Sequence, residues 1–168
     1  MTTPTNLILN RKQTLQKIKR IAFEIYESNF AEEEIILAGI DDQGYRFAQL
    51  LRAEFNALSP QRSQLVKVSL DKRSPRQGQV ELDCPPESLR NKCIVLTDDV
   101  LNTGRTLVYS LKPFLDLEIK KLQTAVLVDR NHKLFPVSAD YVGYALSTTI
   151  NEHVEVVLEE DAFGVYLH

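Results

Sequence analysis

Cys93-Ile94-Val95-Leu96-Thr97-Asp98-Asp99-Val100-Leu101-Asn102-Thr103-Gly104-Arg105-Thr106 is the stretch on which the reading of this chain turns. It opens with a short apolar, β-branched run of the kind found in a parallel strand buried on both faces. Two adjacent carboxylates, Asp98 and Asp99, follow at the expected strand end. A loop of small and hydroxyl residues comes next, and Leu107 to Leu117 reads as a helix. In an open α/β sheet, ligands bind in the crevice beyond the carboxyl ends of the strands. Thr103, Gly104 and Thr106 can wrap backbone N–H groups around an anion at the helix N-terminus, with hydroxyls as further donors. Asp98 and Asp99 suit hydroxyl groups or a divalent cation instead. Half of the segment therefore wants a phosphate and half a diol or a metal, which together describe a sugar phosphate.

Outward from that segment, strand and helix patterns alternate. Asn10-Arg11-Lys12-Gln13 has capping-box spacing, and Leu15, Ile18, Ala22 and Ile25 recur at helical intervals to about Ser28. Ile35 to Ile40 reads as the first buried strand, followed by a loop, Asp41-Asp42-Gln43-Gly44. Phe47, Leu51 and Phe55 mark a helix that Ser59-Pro60 ends. Leu65 to Leu70 is a second strand. Residues 71–86 hold three prolines, Lys72, Arg73 and Arg76 without periodicity, and read as a mobile excursion. Pro113 predicts a kink or restart in the helix after the focal loop. Thr124 to Val128 is a fourth strand ending at Asp129-Arg130, and Tyr141 to Ala145 a further short one. Val154 to Leu158 and Val165 to Leu167 close as an antiparallel pair. Such alternation implies a single α/β domain with a mostly parallel sheet and right-handed crossovers.

Composition narrows the class. The 168 residues carry 43% apolar and 26% charged side chains and a net charge of −3, which fits a globular protein and argues against nucleic-acid binding through the whole surface. Cys84 and Cys93 are too few for a disulfide framework and lack zinc-ligand partners at suitable spacing. Met1 to Thr5 has neither a basic region nor an apolar run, and no apolar stretch is long enough to cross a bilayer, so a cytoplasmic protein is expected. Neither a G-x-G-x-x-G nor a G-x-x-x-x-G-K-[ST] string occurs, which sets aside Rossmann dehydrogenases and P-loop phosphotransferases.

Ile94 to Thr106 resembles the phosphoribosyl pyrophosphate motif of the type I phosphoribosyltransferases. Ile21 to Ile25, Ala38-Gly39-Ile40, Leu127 to Lys133 and Ala139 to Gly143 are similar to the bifunctional pyrimidine-operon attenuators that have uracil phosphoribosyltransferase activity. The likeness runs from about residue 8 to the C-terminus. It implies the type I phosphoribosyltransferase fold, a central mostly parallel sheet flanked by helices with a flexible hood and a C-terminal antiparallel pair. It also implies a homodimer or higher homo-oligomer, Mg²⁺ as cofactor, phosphoribosyl pyrophosphate as donor and a nucleobase as acceptor, uracil above a purine. By the same resemblance Asp98 and Asp99 hold the ribose hydroxyls and the metal and act in catalysis, and Asn102, Thr103, Gly104, Arg105 and Thr106 join them in holding the ribose 5-phosphate. Asp42, Gln43, Gly44 and Arg73 face pyrophosphate. Tyr141, Val142 and Gly143 face the base, with Tyr144 a second ring able to stack. Residues 71–86 form the hood, which brings Lys72, Arg73 and Arg76 over the leaving group.

The chain departs from that pattern in three places. Asp41 and Asp42 stand in the pyrophosphate loop where a basic residue is expected, with Arg46 just beyond. Tyr144 to Thr149 lacks the usual pyrimidine-loop residues, so uracil follows from the family alone. Arg130, His132 and Lys133 remain near the face where such regulators bind RNA, but Ser138 replaces an arginine and Phe23 a histidine. RNA regulation with weak catalysis therefore ranks below the enzyme reading.

Overall fold

The computed structural model describes residues 6–70 and 79–168. Its elements are β1 (Asn6–Leu9), α1 (Arg11–Ser28), β2 (Glu34–Ile40), α2 (Asp41–Leu58), β3 (Arg62–Leu70), β4 (Val80–Leu82), β5 (Cys93–Leu101), α3 (Arg105–Leu115), β6 (Lys121–Asp129), β7 (Tyr141–Ala145), β8 (Val154–Val157) and β9 (Gly164–Leu167), with a 3-10 turn at Pro86–Leu89. Six strands form one sheet in the order β4-β3-β2-β5-β6-β7, in which only β4 is antiparallel.

Burial explains why the central strands read as unbroken apolar runs. Ile35 to Ala38 of β2 and Leu96 of β5 have no exposed surface, because helices cover both faces. On one face Leu37, Val95, Ala125 and Leu127 pack with Ile18, Ile21, Phe47 and Leu51 of α1 and α2. On the other Ile36, Ala38, Ile94, Leu96 and Val126 pack with Leu107 and Phe114 of α3. Each of these Val, Leu, Ile and Phe side chains contributes roughly 1.5–3 kcal/mol by leaving water. The capping box at α1 forms as read, with Gln13 N–H donating to Asn10 Oδ1 and Asn10 N–H to Gln13 Oε1, both at 2.9 Å.

Sequence order gives the sheet its functional geometry. From β2 the chain steps to β3 on one side, then crosses to β5 on the other and continues outward through β6 and β7. The reversal falls between β2 and β5, and the carboxyl ends of these two strands bound the crevice where an open sheet takes ligand.

Three expectations need correcting. Asp98 and Asp99 lie inside β5, which runs on to Leu101. The β2 ladder stops at Gly39 opposite Thr97, while pairing with β6 continues to Leu101. The acids thus sit where one flanking strand has ended and the other has not. Asp41 to Gly44 is no loop, since α2 begins directly at Asp41, whose φ of 49° is in the left-handed region that aspartate tolerates better than most residues. The C-terminal antiparallel pair forms as read, β8 with β9, and β1 adds to the other edge of β9 to make a three-stranded sheet. Within the expected hood, Val80–Leu82 pairs with β3, and a 3-10 turn, Pro86–Leu89, begins at its last residue. Residues 71–78, with Lys72, Arg73 and Arg76, lie outside the described residues. The helix after the focal loop spans Arg105–Leu115, with Pro113 in its last turn.

Candidate active site

A cavity of about 250 Å³ opens at the carboxyl end of β5, lined by Asp98 to Gly104 with Thr106, Leu107, Val126 and Val154. Six of the seven residues read from the sequence as the ribose-5-phosphate set line it: Asp98, Asp99, Asn102, Thr103, Gly104 and Thr106. Arg105 is not in that lining. Its guanidinium lies over the Phe135 ring, 5.3 Å from the centroid.

The loop owes its shape to Gly104. Its φ of 90° is strained for any residue with a side chain, and an added Cβ would stand 2.6 Å from Val137 Cγ1. Gly104 is also the residue before the first turn of α3, and that turn contains no acid. Arg105 N–H donates to Thr103 Oγ1 at 3.3 Å, and the following N-terminal N–H groups and the positive end of the helix dipole face the cavity with no acid of that turn to meet them. Leu134 N–H and Phe135 N–H both donate to Thr103 O, at 2.8 and 3.1 Å, which ties the loop to the segment after β6.

The two acids are held differently. Asp98 is 4% exposed, and its Oδ1 accepts Asp99 N–H at 2.9 Å. Asp99 is half-buried, and its Oδ1 accepts Val100 N–H at 2.9 Å. These side-chain bonds satisfy backbone N–H groups where the strand leaves its β2 neighbour. Oxygen donors from two adjacent carboxylates suit Mg²⁺, a hard cation that keeps several waters and shares phosphate oxygens, so few protein ligands are needed. No group of three or more His, Cys, Asp and Glu side chains able to hold a metal occurs among the described residues.

Across the crevice, Gly44 is pressed onto β5. An added Cβ there would meet Thr97 O at 2.8 Å and Asp98 Oδ1 at 3.3 Å, and the Thr97 hydroxyl donates to Gly44 O at 2.9 Å. Asp42 is exposed and pairs with Lys67 Nζ at 3.0 Å, which raises the lysine pKa through that hydrogen bond first and the charge of Asp42 second. Asp41 Oδ1 accepts Leu70 N–H at 3.3 Å. Gln43 Oε1 is buried and has no hydrogen-bond partner. Arg46 turns away from the crevice, its Nε donating to Leu158 O at 3.3 Å.

Lys67 escaped the sequence reading. Its signal was a lysine between Val66 and Val68, both fully buried, in a run otherwise read only as strand.

The expected base-binding segment divides between the two faces of the sheet. Tyr141 packs with α1 on the face away from the cavity, and its hydroxyl donates to Gln123 Oε1 at 2.8 Å. Burial pushes its pKa up. The ring is a core element and does not reach the crevice, contrary to the stacking role read from the sequence. Gly143 also faces α1, and its carbonyl accepts from Arg20 Nη2 at 2.8 Å. Val142, paired with Val126 of the cavity wall, packs on the cavity face. Tyr144 lies beneath the Lys17 ammonium, 5.9 Å from the ring centroid.

The three basic residues read as an RNA-facing remnant are engaged within the protein. Arg130 is 8% exposed and spends its guanidinium on Thr148, Asn102, Thr149 and Glu152. His132 Nε2 lies 2.6 Å from Thr148 O, and Lys133 pairs with Asp129 at 3.5 Å. Phe23, by contrast, is half exposed on α1. No helix among the described residues is long and apolar enough to cross a membrane.

Comparison with known proteins agrees with this geometry. Residues 5–161 match the phosphoribosyl transferase domain model. The protein named Bifunctional protein PyrR from Deinococcus radiodurans is 35% identical over 167 residues, covering 95% of this chain and 91% of that protein. Its namesake from Clostridium botulinum is 31% identical over 163 residues, covering 91% and 89%. Among solved structures, a hypoxanthine phosphoribosyltransferase of Trypanosoma cruzi superposes with a TM-score of 0.78 at 17% identity, covering 95% of this chain and 92% of that one. A hypoxanthine-guanine phosphoribosyltransferase of Bacillus anthracis gives 0.70 at 20% identity, covering 84% and 82%. At such identities these two speak for the fold alone.

Proposed function

Because this chain belongs to the phosphoribosyltransferase family, we propose that it transfers the phosphoribosyl group of phosphoribosyl pyrophosphate to a pyrimidine base, uracil giving uridine monophosphate and pyrophosphate. One observation carries the reading. Two acids and an acid-free helix N-terminus share one cavity at the carboxyl end of β5.

In this reaction a ring nitrogen of the base forms a bond to the anomeric carbon while the carbon–oxygen bond to pyrophosphate breaks. The electron pair leaves with pyrophosphate, and the base nitrogen loses its proton. Positive charge builds on the ribose ring as the bond breaks. Asp98 and Asp99, fixed by backbone N–H bonds before substrate arrives, hold the ribose hydroxyls and present negative charge to that ring at no cost of reorganisation. The Asn102 to Thr106 loop grips the 5-phosphate and so fixes the anomeric carbon relative to the acids. Asp98 and Asp99 also fit the Mg²⁺ that phosphoribosyltransferases use, which when bound would screen the charge of the donor's phosphates. Gln43 and Gly44 flank the leaving group on the β2 side, with Asp42 beside them. There Lys67 supplies the positive charge that Asp41 and Asp42 lack. Arg73 would add to it from the segment after β3. Base recognition falls to Val142 and the polar backbone after β7, since Tyr141 and Gly143 point to the other face.

The acidic first turn of α2 favours a second reading, a nucleotide-sensing regulator with slow catalysis that binds RNA. The internal engagement of Arg130, His132 and Lys133 weighs against its RNA half. One assay separates the possibilities: pyrophosphate release from donor and Mg²⁺ with uracil, cytosine, hypoxanthine and guanine in turn. Release with uracil alone is expected. Release with a purine alone would reassign the acceptor, and no release with any base would defeat the enzyme reading.

A further inference from the structure

Arg130 directly follows β6, and its guanidinium is a buried cation whose direct acceptors are neutral oxygens, with the Glu152 carboxylate close enough to feel its charge. Nε donates to Thr148 Oγ1 at 2.6 Å, Nη1 to Asn102 Oδ1 at 3.2 Å and Nη2 to Thr149 O at 3.1 Å, with Glu152 O a further acceptor for Nη2. Its own N–H donates to Leu101 O at 3.0 Å. One side chain therefore joins the β5–α3 loop to the loop between β7 and β8. A buried charge is costly unless its donors are satisfied, so this arrangement holds both loops to fixed positions.

The contact with Asn102 has a chemical direction. A guanidinium can only donate, whereas an amide has one accepting end and one donating end. Bonding to Arg130 fixes the oxygen of Asn102 toward the cation and leaves the Nδ2 hydrogens as what this cavity-lining residue has to offer. We propose that Arg130 is a positioning residue that orients the Asn102 amide as a hydrogen-bond donor to the phosphate of the sugar ligand. Asn102 thereby adds a side-chain donor to the backbone donors of its loop. The inference rests on the ribose-5-phosphate reading of the cavity.

The test is calorimetric titration of the full-length protein with ribose 5-phosphate at fixed salt, which needs no turnover. Asn102→Ala should weaken binding roughly tenfold, the size of one charge-assisted hydrogen bond. Arg130→Met should weaken it at least as much, and Arg130→Lys, with the charge but not the fork, should fall between. Since Arg130 acts through Asn102, the double variant should bind about as weakly as Arg130→Met alone. Losses that simply multiply would indicate separate structural effects and overturn the role, as would wild-type affinity in Arg130→Met. Should Arg130→Met fail to fold, as judged by circular dichroism, the exposed Asn102 decides. Asn102→Asp keeps an oxygen toward Arg130 but has no donor, so it should bind more weakly than Asn102→Ala. Equal or tighter binding by Asn102→Asp would refute the role. A wild-type protein that does not bind ribose 5-phosphate overturns the phosphoribosyl reading itself, an outcome distinct from variants that bind as wild type does.

Discussion

Two strand-to-helix junctions face each other across the reversal point of the sheet, and they are built to opposite electrostatic ends. From β5 to α3 the chain turns through Asn102, Thr103 and a left-handed Gly104, and the first turn of α3 carries no acid. From β2 to α2 there is no loop at all, and the helix opens on Asp41 and Asp42. The first junction offers its N–H groups and dipole to an anion from outside. At the second the dipole is already met by two carboxylates of the chain itself, and one of these holds Lys67. The same topological slot thus makes an acid-free helix N-terminus on one side and a charge-balanced wall on the other. On the proposed reading a doubly charged 5-phosphate belongs on the first, and the pyrophosphate end meets a site whose attraction depends on how Lys67 divides itself between Asp42 and ligand.

The contrast can be broken most severely at the acids. Asp98→Asn or Asp99→Asn should lower the rate of nucleotide formation by at least ~100-fold, as loss of a fixed charge facing the transition state does. Steady-state assay of both variants measures it, and full activity in either would remove that acid from the mechanism. Gly104→Ala should cost about 1–3 kcal/mol of stability through its positive φ, and more through its clash with Val137. It should also weaken ribose 5-phosphate binding, and thermal unfolding with calorimetry reads both.

Asp42→Asn sharpens the comparison from the other side. It removes a negative charge and releases Lys67, so the KM for donor should fall a few-fold while kcat changes little. An unchanged KM would mean that Lys67 does not reach the leaving group. The smallest expected effect is a pH dependence in the loop after β7. Glu152 has its pKa lowered chiefly by the Thr149 N–H, which donates to Oε1 at 2.7 Å, with the charge of Arg130 adding. A lowered carboxylate pKa stabilises above the unfolded-state value, and the benefit is lost as pH falls through the folded-state value. Protection of the Thr149 amide against hydrogen exchange should therefore decline below the ordinary glutamate range, and Glu152→Gln should flatten that decline.

The alternation of strands and helices, the capping box at Asn10 and the glycine turn before α3 were legible because each follows a local rule: apolar runs, i-to-i+3 caps, a glycine where φ must be positive. What stayed hidden depended on contacts between distant segments. Nothing local says that β5 continues past Asp98 and Asp99, since the added pairing comes from β6. Asp41 to Gly44 looked like a loop because two acids and a glycine favour turns, yet Gly44 is required for close packing on Thr97 and Asp98. Arg130 read as part of a basic remnant near an RNA-binding face, and its burial became visible only once Thr148, Thr149 and Glu152 folded back onto it. β1 was missed because four residues at an edge leave too little pattern.

The most direct test is a crystal structure of the protein with bound uridine monophosphate. The phosphate is expected on the backbone of Asn102 to Thr106 at the start of α3, with the ribose hydroxyls against Asp98 and Asp99. Phosphate density at Asp41 to Gly44 instead, with the β5–α3 loop empty, would contradict the assignment of the two junctions.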